Sequence, residues 1–244
     1  MVDPRTSIIA ERLKNVHNII AVSGGKGGVG KSLIASTLAL LLAENNRVGL
    51  FDLDFTSPST NLILGIKDAR PVEDKGIIPP KVHGLRYMSI VYYSGDYAAP
   101  LRGVDISNAL IELLAITRWE NLDYLILDMP PGISDATLDL IRLIKKIRFV
   151  IMTTPSQLAF ETIRKLTDLL TAQNIQIIGI IENMKTDKDQ TIKSQIRKLG
   201  LDYLGQIPYD QQIESALGNP SRLLNTEVAQ KTKQIARKIQ QFRQ

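Results

Sequence analysis

The 244-residue chain contains no cysteine. Disulfides, thiolate nucleophiles and cysteine-held metal clusters are therefore excluded within it. Histidine is nearly as scarce. Only His17 and His83 occur, far apart, so a zinc site of His and Cys has no ligand set and each ring reads as a surface or loop residue. No apolar run approaches the ~18 residues needed to cross a bilayer. The first twelve residues mix charges with a few apolar positions and do not read as a secretory signal, so a cytoplasmic location is expected. The net charge of +5 is spread along the chain. It suits nucleic acid, an anionic membrane or a nucleotide ligand, and it selects none of them.

What is present is ordinary for a globular protein: 44% hydrophobic and 23% charged residues, in a length that suits one large α/β domain over 1–244. Short apolar runs at 18–22, 48–53, 85–91, 124–127, 149–152, 175–181 and 201–207 alternate with helical patterns. Several runs are continuous Ile, Val and Leu, as strands buried on both faces require. Ala159, Ile163, Leu166 and Leu170 form one helical apolar stripe. The alternation predicts an α/β fold, doubly wound, with a mostly parallel sheet and helices on both faces. Residues 66–84, with Pro71, Gly76, Pro79, Pro80 and Gly84, read as a long loop. Residues 226–242 read as a basic helix with Val228, Ile235, Ile239 and Phe242 on one side. Such a helix either packs on the domain edge or lies on a membrane surface.

Gly25-Lys26-Gly27-Gly28-Val29-Gly30-Lys31-Ser32 fits the phosphate-loop pattern G-x-x-x-x-G-K-[ST]. An apolar strand at 19–22 precedes it and a helical run at 33–42 follows, the order that the chemistry needs. The glycines let successive backbone N–H groups converge on phosphate oxygens without side-chain obstruction. The helix beginning near Lys31 adds its positive end. Lys31 reaches the β- and γ-phosphates of ATP, and the Ser32 hydroxyl can ligate Mg²⁺.

Carboxylates complete this pattern. The second apolar run ends in Asp52-Leu53-Asp54, which puts acids at the carboxyl edge of the sheet, where ligands of such sheets bind. Asp54 is the candidate for orienting the attacking water, and Asp52 for supporting the loop or the Mg²⁺ shell. Helix capping ahead of Ser57-Pro58-Ser59 is the other reading of both. Four apolar residues then lead into Asp128, the candidate Mg²⁺ holder, followed by Met129-Pro130-Pro131-Gly132, a turn suited to sensing the γ-phosphate. Asn183, after the run that ends at Ile181, can pair with an adenine edge, and Pro208 and Asp210 follow another strand end. These three can also be read as turn residues.

Together these segments resemble the Mrp family, within the MinD/ParA group of deviant-Walker ATPases. The resemblance spans nearly the whole chain. It rests on the glycine loop from Ser23 to Ser32, on Asp52-Leu53-Asp54 with Pro58-Ser59, and on Asp123-Tyr124-Leu125-Ile126-Leu127-Asp128-Met129-Pro130-Pro131-Gly132. Thr153-Thr154-Pro155, Glu182-Asn183-Met184 and Ile207-Pro208-Tyr209-Asp210 follow in the family's order. One extra Gly stands before Lys26, and Ser57 stands where Gly is usual. The resemblance implies a homodimeric, Mg²⁺-dependent ATPase with an unidentified client protein. It also implies that Lys26 crosses the dimer interface to the partner's phosphates, acting as an arginine finger does. Many members carry an iron–sulfur cluster on a C-x-x-C pair after Glu-Asn-Met. Here residues 185–195 contain no cysteine, so a part in iron–sulfur assembly would be played without holding the cluster. The competing expectation is a MinD/ParA-like positioning ATPase acting on membrane or DNA through the C-terminal helix or Lys145-Lys146-Arg148.

Overall fold

A computed structural model describes residues 4–94, 103–186 and 189–242. In chain order the elements are α1 (Arg5–Leu13), β1 (Val16–Gly24), α2 (Lys31–Ala43), β2 (Val48–Asp52), α3 (Thr60–Leu64), β3 (Val72–Glu73), β4 (Ile77–Ile78), β5 (Lys81–Val82), β6 (Leu85–Ser89) and α4 (Val91–Ser94). They continue as α5 (Gly103–Ile116), β7 (Leu122–Asp128), α6 (Asp135–Leu143), β8 (Ile147–Thr153), α7 (Gln157–Ala172), β9 (Gln176–Lys185), α8 (Thr191–Lys198), β10 (Tyr203–Pro208), α9 (Ile213–Ala216), α10 (Pro220–Leu224) and α11 (Glu227–Gln241).

Eight strands form one sheet in the order β10-β9-β8-β1-β7-β2-β6-β5. Every pairing is parallel except that of β5 with β6. The continuous apolar runs explain why. Along β1, Ile19 and Ala21 face one core while Ile20 and Val22 face the other, so both sides must be covered. In β8, Phe149 and Ile151 split from Val150 and Met152 in the same way. Helices α1, α5, α6 and α7 cover the first face, and α2 and α11 the second. Because the strands are parallel, the ends of β1, β2, β7, β8, β9 and β10 reach one edge. β1 stands where the strand order reverses, the position at which such sheets bind ligands.

The doubly wound reading holds, with local differences. The run at 85–91 stops pairing at Ser89 and turns helical at Val91. The stretch at 66–84 is not wholly loop: it carries the antiparallel pair β3–β4 and the edge strand β5. The apolar side of α11 (Val228, Ile235, Ala236, Ile239) is buried with α2 residues and with Leu204 of β10, so it is packed on the domain and not offered to a membrane.

Loop packing at the carboxyl edge depends on one glycine. Gly65, after α3, has φ of +65°, and a Cβ there would sit 2.2 Å from the Gly218 carbonyl oxygen. Gly65→Ala is expected to lower stability by about 1–3 kcal/mol, since a left-handed conformation and a backbone overlap must both be relieved. A lower urea midpoint with an unchanged m-value is the result to look for.

Candidate nucleotide-binding site

The phosphate loop leaves the end of β1 and enters α2. Gly30 is the N-cap of α2 with φ of +86°, and its carbonyl accepts from Ile34 N at 3.1 Å. A Cβ on Gly30 would lie 2.3 Å from Asn183 Nδ2, so neither the backbone angle nor the space admits another residue. Gly25 and Val29 are buried, while Lys26, Gly27 and Gly28 stand exposed at the tip. Lys31, the first residue of α2, is only 6% exposed. Among the described residues no carboxylate lies within ion-pair distance of it. A buried ammonium that makes no ion-pair contact at the mouth of an amide-lined loop is arranged for an anion. Ser32, half-buried, is one residue further on.

Asp128 faces this loop. It ends β7, beside β1, and is fully buried; neither carboxylate oxygen has a hydrogen-bond partner. Burial holds its pKa well above the ordinary carboxylate range, and Asp52 pushes it the same way. The Ser32 hydroxyl and the Lys31 charge lie near enough to favour the charged form, though neither makes a hydrogen bond of full geometry to it. Orphaned buried oxygens of this kind call for a cation or a donor that the polypeptide does not supply. The Met129-Pro130-Pro131-Gly132 turn is anchored to the loop strand, with Met129 N donating to Val22 O and Gly132 N to Gly24 O at 3.1 Å each.

Asp52 is the register partner of Asp128 on β2, and its surroundings differ. Oδ1 accepts from Asp54 N at 3.1 Å. Oδ2 accepts from Ser59 N, Thr60 N and Thr60 Oγ1 at 3.3, 3.2 and 2.6 Å. Asp52 thus braces the start of α3, and its lone pairs are largely committed. Burial still raises its pKa to about 6. Asp54 Oδ1 accepts from Thr56 N, Thr56 Oγ1 and Ser57 N, whereas Oδ2 accepts no bond, so one oxygen of this mostly buried acid remains for a water.

Asn183, at the end of β9, donates through Nδ2 to Val29 O at 2.9 Å and is 4% exposed. One amide hydrogen is therefore engaged in pinning the loop. Pro208 closes β10 at the same sheet edge, and Asp210 Oδ1 accepts from Gln212 N in the turn beyond. Sequence reasoning missed the groups behind these residues. Thr60 links Asp52 to the buried Tyr87 hydroxyl, 2.9 Å away. Glu182, fully buried, accepts from Lys185 Nζ at 2.9 Å and from Tyr203 Oη at 2.8 Å. Met184 has φ of +58°, a left-handed backbone beside Asn183. The only sequence signal was Glu182 and Lys185 three apart around Asn183, in a strand otherwise apolar.

Two buried carboxyl groups with raised pKa make stability fall as pH rises. Below about pH 4 both folded and unfolded chains carry these protons and the contribution is fully present. As pH climbs through the folded value near 6, Asp52 must ionise in a dry site. From an ordinary 3.8 to about 6, at ~1.4 kcal/mol per pH unit, Asp52 alone removes about 3 kcal/mol from the nucleotide-free protein between pH 4 and 7. Acids pulled downward, Asp123 beside Arg47 and Asp189 beside Thr191, act below that window. Urea midpoints at several pH values check the slope, which Asp52→Asn should reduce, Asp128 keeping the rest; a flat wild-type profile would contradict it.

Known proteins resemble this chain in sequence and in fold. The family model described as ParA, NUBPL iron-transfer P-loop NTPase, matches residues 15–242. The iron-sulfur cluster carrier protein of Pseudomonas fragi is 42% identical over 177 residues, covering 70% of this chain and 62% of that protein. That of Haemophilus influenzae is 37% identical over 247 residues, covering 93% and 67%. The chain therefore spans 62% to 67% of the length of these carriers. Among solved structures, a nucleotide-binding protein from Archaeoglobus fulgidus in complex with ADP superposes with a TM-score of 0.75 at 27% identity, over 90% of this chain and 93% of that one. MinD from Pyrococcus horikoshii, complexed with Mg-ADP, shares the fold with a TM-score of 0.67 at 18% identity, over 91% and 95%. The family match over nearly the whole chain agrees with the glycine loop and the acids that converge on it: the protein belongs to the ParA-type NUBPL iron-transfer P-loop NTPase family.

Proposed function

We propose that this chain is a Mg²⁺-dependent, ATP-hydrolysing switch that pairs with a second copy around nucleotide and serves iron–sulfur cluster assembly or delivery without holding the cluster. The observation that carries the ATPase reading is Asp128, fully buried, with both oxygens unpartnered beside Lys31 and Ser32. Ser32 and Asp128 fit Mg²⁺, a hard cation that takes oxygen ligands. When bound it would supply positive charge to the phosphate groups. The loop amides and Lys31 bind the phosphates and stabilise charge that spreads in the transition state. Asp54, through its free oxygen, orients the attacking water. Asp52 holds the loop between β2 and α3, so its part is to keep Asp54 placed. Asn183 braces the phosphate loop from behind.

The pairing reading draws support from the surface round the loop. Lys26 is exposed at its tip. Ile133, beside the anchored Gly132, is 44% exposed, and Leu158 at the start of α7 is 79% exposed. Large apolar side chains round a cationic loop suit a second copy more than water. The carrier names of the relatives support the iron–sulfur context. The residues here do not fit the cluster itself. The chain has no cysteine, and among the described residues no three His, Asp or Glu side chains gather to hold a metal. Steady-state phosphate release tests the core of this reading. Wild type is expected to turn over ATP slowly and only with Mg²⁺, and Lys31→Ala to lose at least about 100-fold. Wild-type protein that binds Mg-ATP but releases no phosphate would overturn the hydrolytic role.

A further inference from the structure

The second half of the chain builds a cationic groove away from the phosphate loop. β10 is the sheet's edge strand, and α8 and α11 flank it. One depression of about 470 Å³ lies between these helices, and a second of about 460 Å³, lined by α8 and the residue before it, adjoins it and shares Lys193 and Arg197. Lys198, Lys231 and Lys238 complete the lining. Among the described lining residues there is no Asp or Glu, and none of the five cations has a carboxylate within 4.0 Å. Lys238 donates only to the Leu204 carbonyl. The apolar sides of both helices are packed inward through Ile192, Ile196, Ile235 and Ile239, so the groove is rigidly floored. Five clustered cations repel one another, and an arrangement that leaves them uncompensated is suited to an anionic partner.

The shape narrows the choice. Single-stranded nucleic acid is held by cationic grooves that also offer aromatic faces for stacking. Tyr203 is the one aromatic among the described lining residues, and Lys193 Nζ already sits 5.5 Å from its ring centroid. Its hydroxyl is committed to Glu182. An acidic peptide needs no stacking platform; it needs spaced cations beside an edge strand, along which an extended chain can lie. The groove also connects to the nucleotide site through a short polar chain. Tyr203 Oη donates to Glu182, the neighbouring Asn183 donates to Val29 O, and Val29 belongs to the phosphate loop.

We propose that this groove docks an acidic, extended segment of a partner protein, and that the docked segment is sensed at the phosphate loop through Tyr203 and Glu182. Coupling of this kind is reciprocal: whatever the segment does to nucleotide affinity, nucleotide does to segment affinity.

The test uses the full chain, fluorescein-labelled octaglutamate and, as competitor, an unlabelled eight-nucleotide oligo-dT. Anisotropy is expected to report salt-sensitive binding that weakens at least about tenfold in Arg197→Glu/Lys231→Glu. Lys145→Glu/Lys146→Glu, which alters a separate depression beside α1, should keep wild-type affinity within about twofold. Equal losses in the two double variants would overturn the groove, because diffuse attraction to a basic protein explains them. Oligo-dT that binds tighter than the peptide, with the same dependence on Arg197 and Lys231, would overturn the peptide assignment in favour of nucleic acid. For the second part, saturating peptide is expected to shift the Kd for a fluorescent ATP analogue severalfold in wild type. Tyr203→Phe should retain peptide binding and lose that shift. An unchanged nucleotide Kd in wild type overturns the coupling. Circular-dichroism melts of each variant separate loss of fold from loss of docking.

Discussion

Asp128→Asn is expected to abolish Mg²⁺-dependent ATP turnover and, in the same protein, to raise the melting temperature of the nucleotide-free state. Both effects come from one feature. The carboxylate is fully buried, and neither oxygen accepts a hydrogen bond. Its ionisation is opposed by burial and by Asp52 across the strand pair. Asn keeps the volume and removes the charge, so the apo protein should gain about 1–3 kcal/mol near neutral pH. For a chain of this size each kcal/mol is worth about 2–4 °C. The amide holds Mg²⁺ poorly, because the ion selects charged oxygen donors, and phosphate release should fall at least about 100-fold. Thermal melts and phosphate-release assays on one preparation decide the matter. A lower melting temperature would mean that the Asp128 charge is compensated in the apo state. Unimpaired turnover would remove Asp128 from the ion site. Sites that sacrifice stability in this way are a known consequence of building for a ligand that is not always present.

Asp54→Ala with Mg-ATP is expected to run in solution as a dimer, while the nucleotide-free variant runs as a monomer. Asp54 leaves one carboxylate oxygen free of protein donors, so its loss should remove the water-orienting group and spare ATP binding. Turnover should drop at least about 100-fold, and the ATP-bound state should accumulate. Adding Lys26→Ala to this variant should return it to monomer, because the exposed lysine at the loop tip would no longer reach the partner's phosphates. Light scattering with and without Mg-ATP provides the readout. A monomer in every state, with ATP shown to be bound, would refute pairing through Lys26. A dimer in every state would mean that nucleotide changes shape and not assembly. Lys26→Ala alone that hydrolyses ATP at the wild-type rate would refute its action in trans.

The cationic groove and the nucleotide site meet through β9 and β10, and α11, which lines the groove, also packs on α2. Glu182 and Asn183 are adjacent on β9, one facing Tyr203 and the other the phosphate loop. Glu182 with Lys185 forms a buried ion pair whose net contribution to stability is small or negative unless its remaining polar atoms are satisfied. Here Tyr203 takes the second Glu182 oxygen. The pair therefore holds the strand end in one conformation, beside the left-handed Met184.

The sequence by itself determined the sheet, the loop and the chemical class of its ligand. Runs such as Ile19–Val22 and Phe149–Met152 are apolar at every position, and only a strand covered on both faces satisfies that pattern. The glycines, Lys31 and Ser32 are consecutive, so their joint chemistry is local and legible without a fold. What separated Asp52, Asp54 and Asp128 was not legible. All three end apolar runs, yet Thr60, itself joined to Tyr87, engages Asp52, a turn occupies half of Asp54, and no hydrogen bond of full geometry reaches either oxygen of Asp128. Asn183 read in sequence as a base contact or a turn residue, and that one of its amide hydrogens pins Val29 O was visible only once β9 was in place. The basic C-terminal helix had two readings in sequence, and packing on α2 and β10 chose between them while turning its cations toward those of α8. Hydrogen-bond supply and counter-charge come from residues distant in the chain, so the tertiary structure alone decided which acid is braced, which is free, and where the unpaired cations gather.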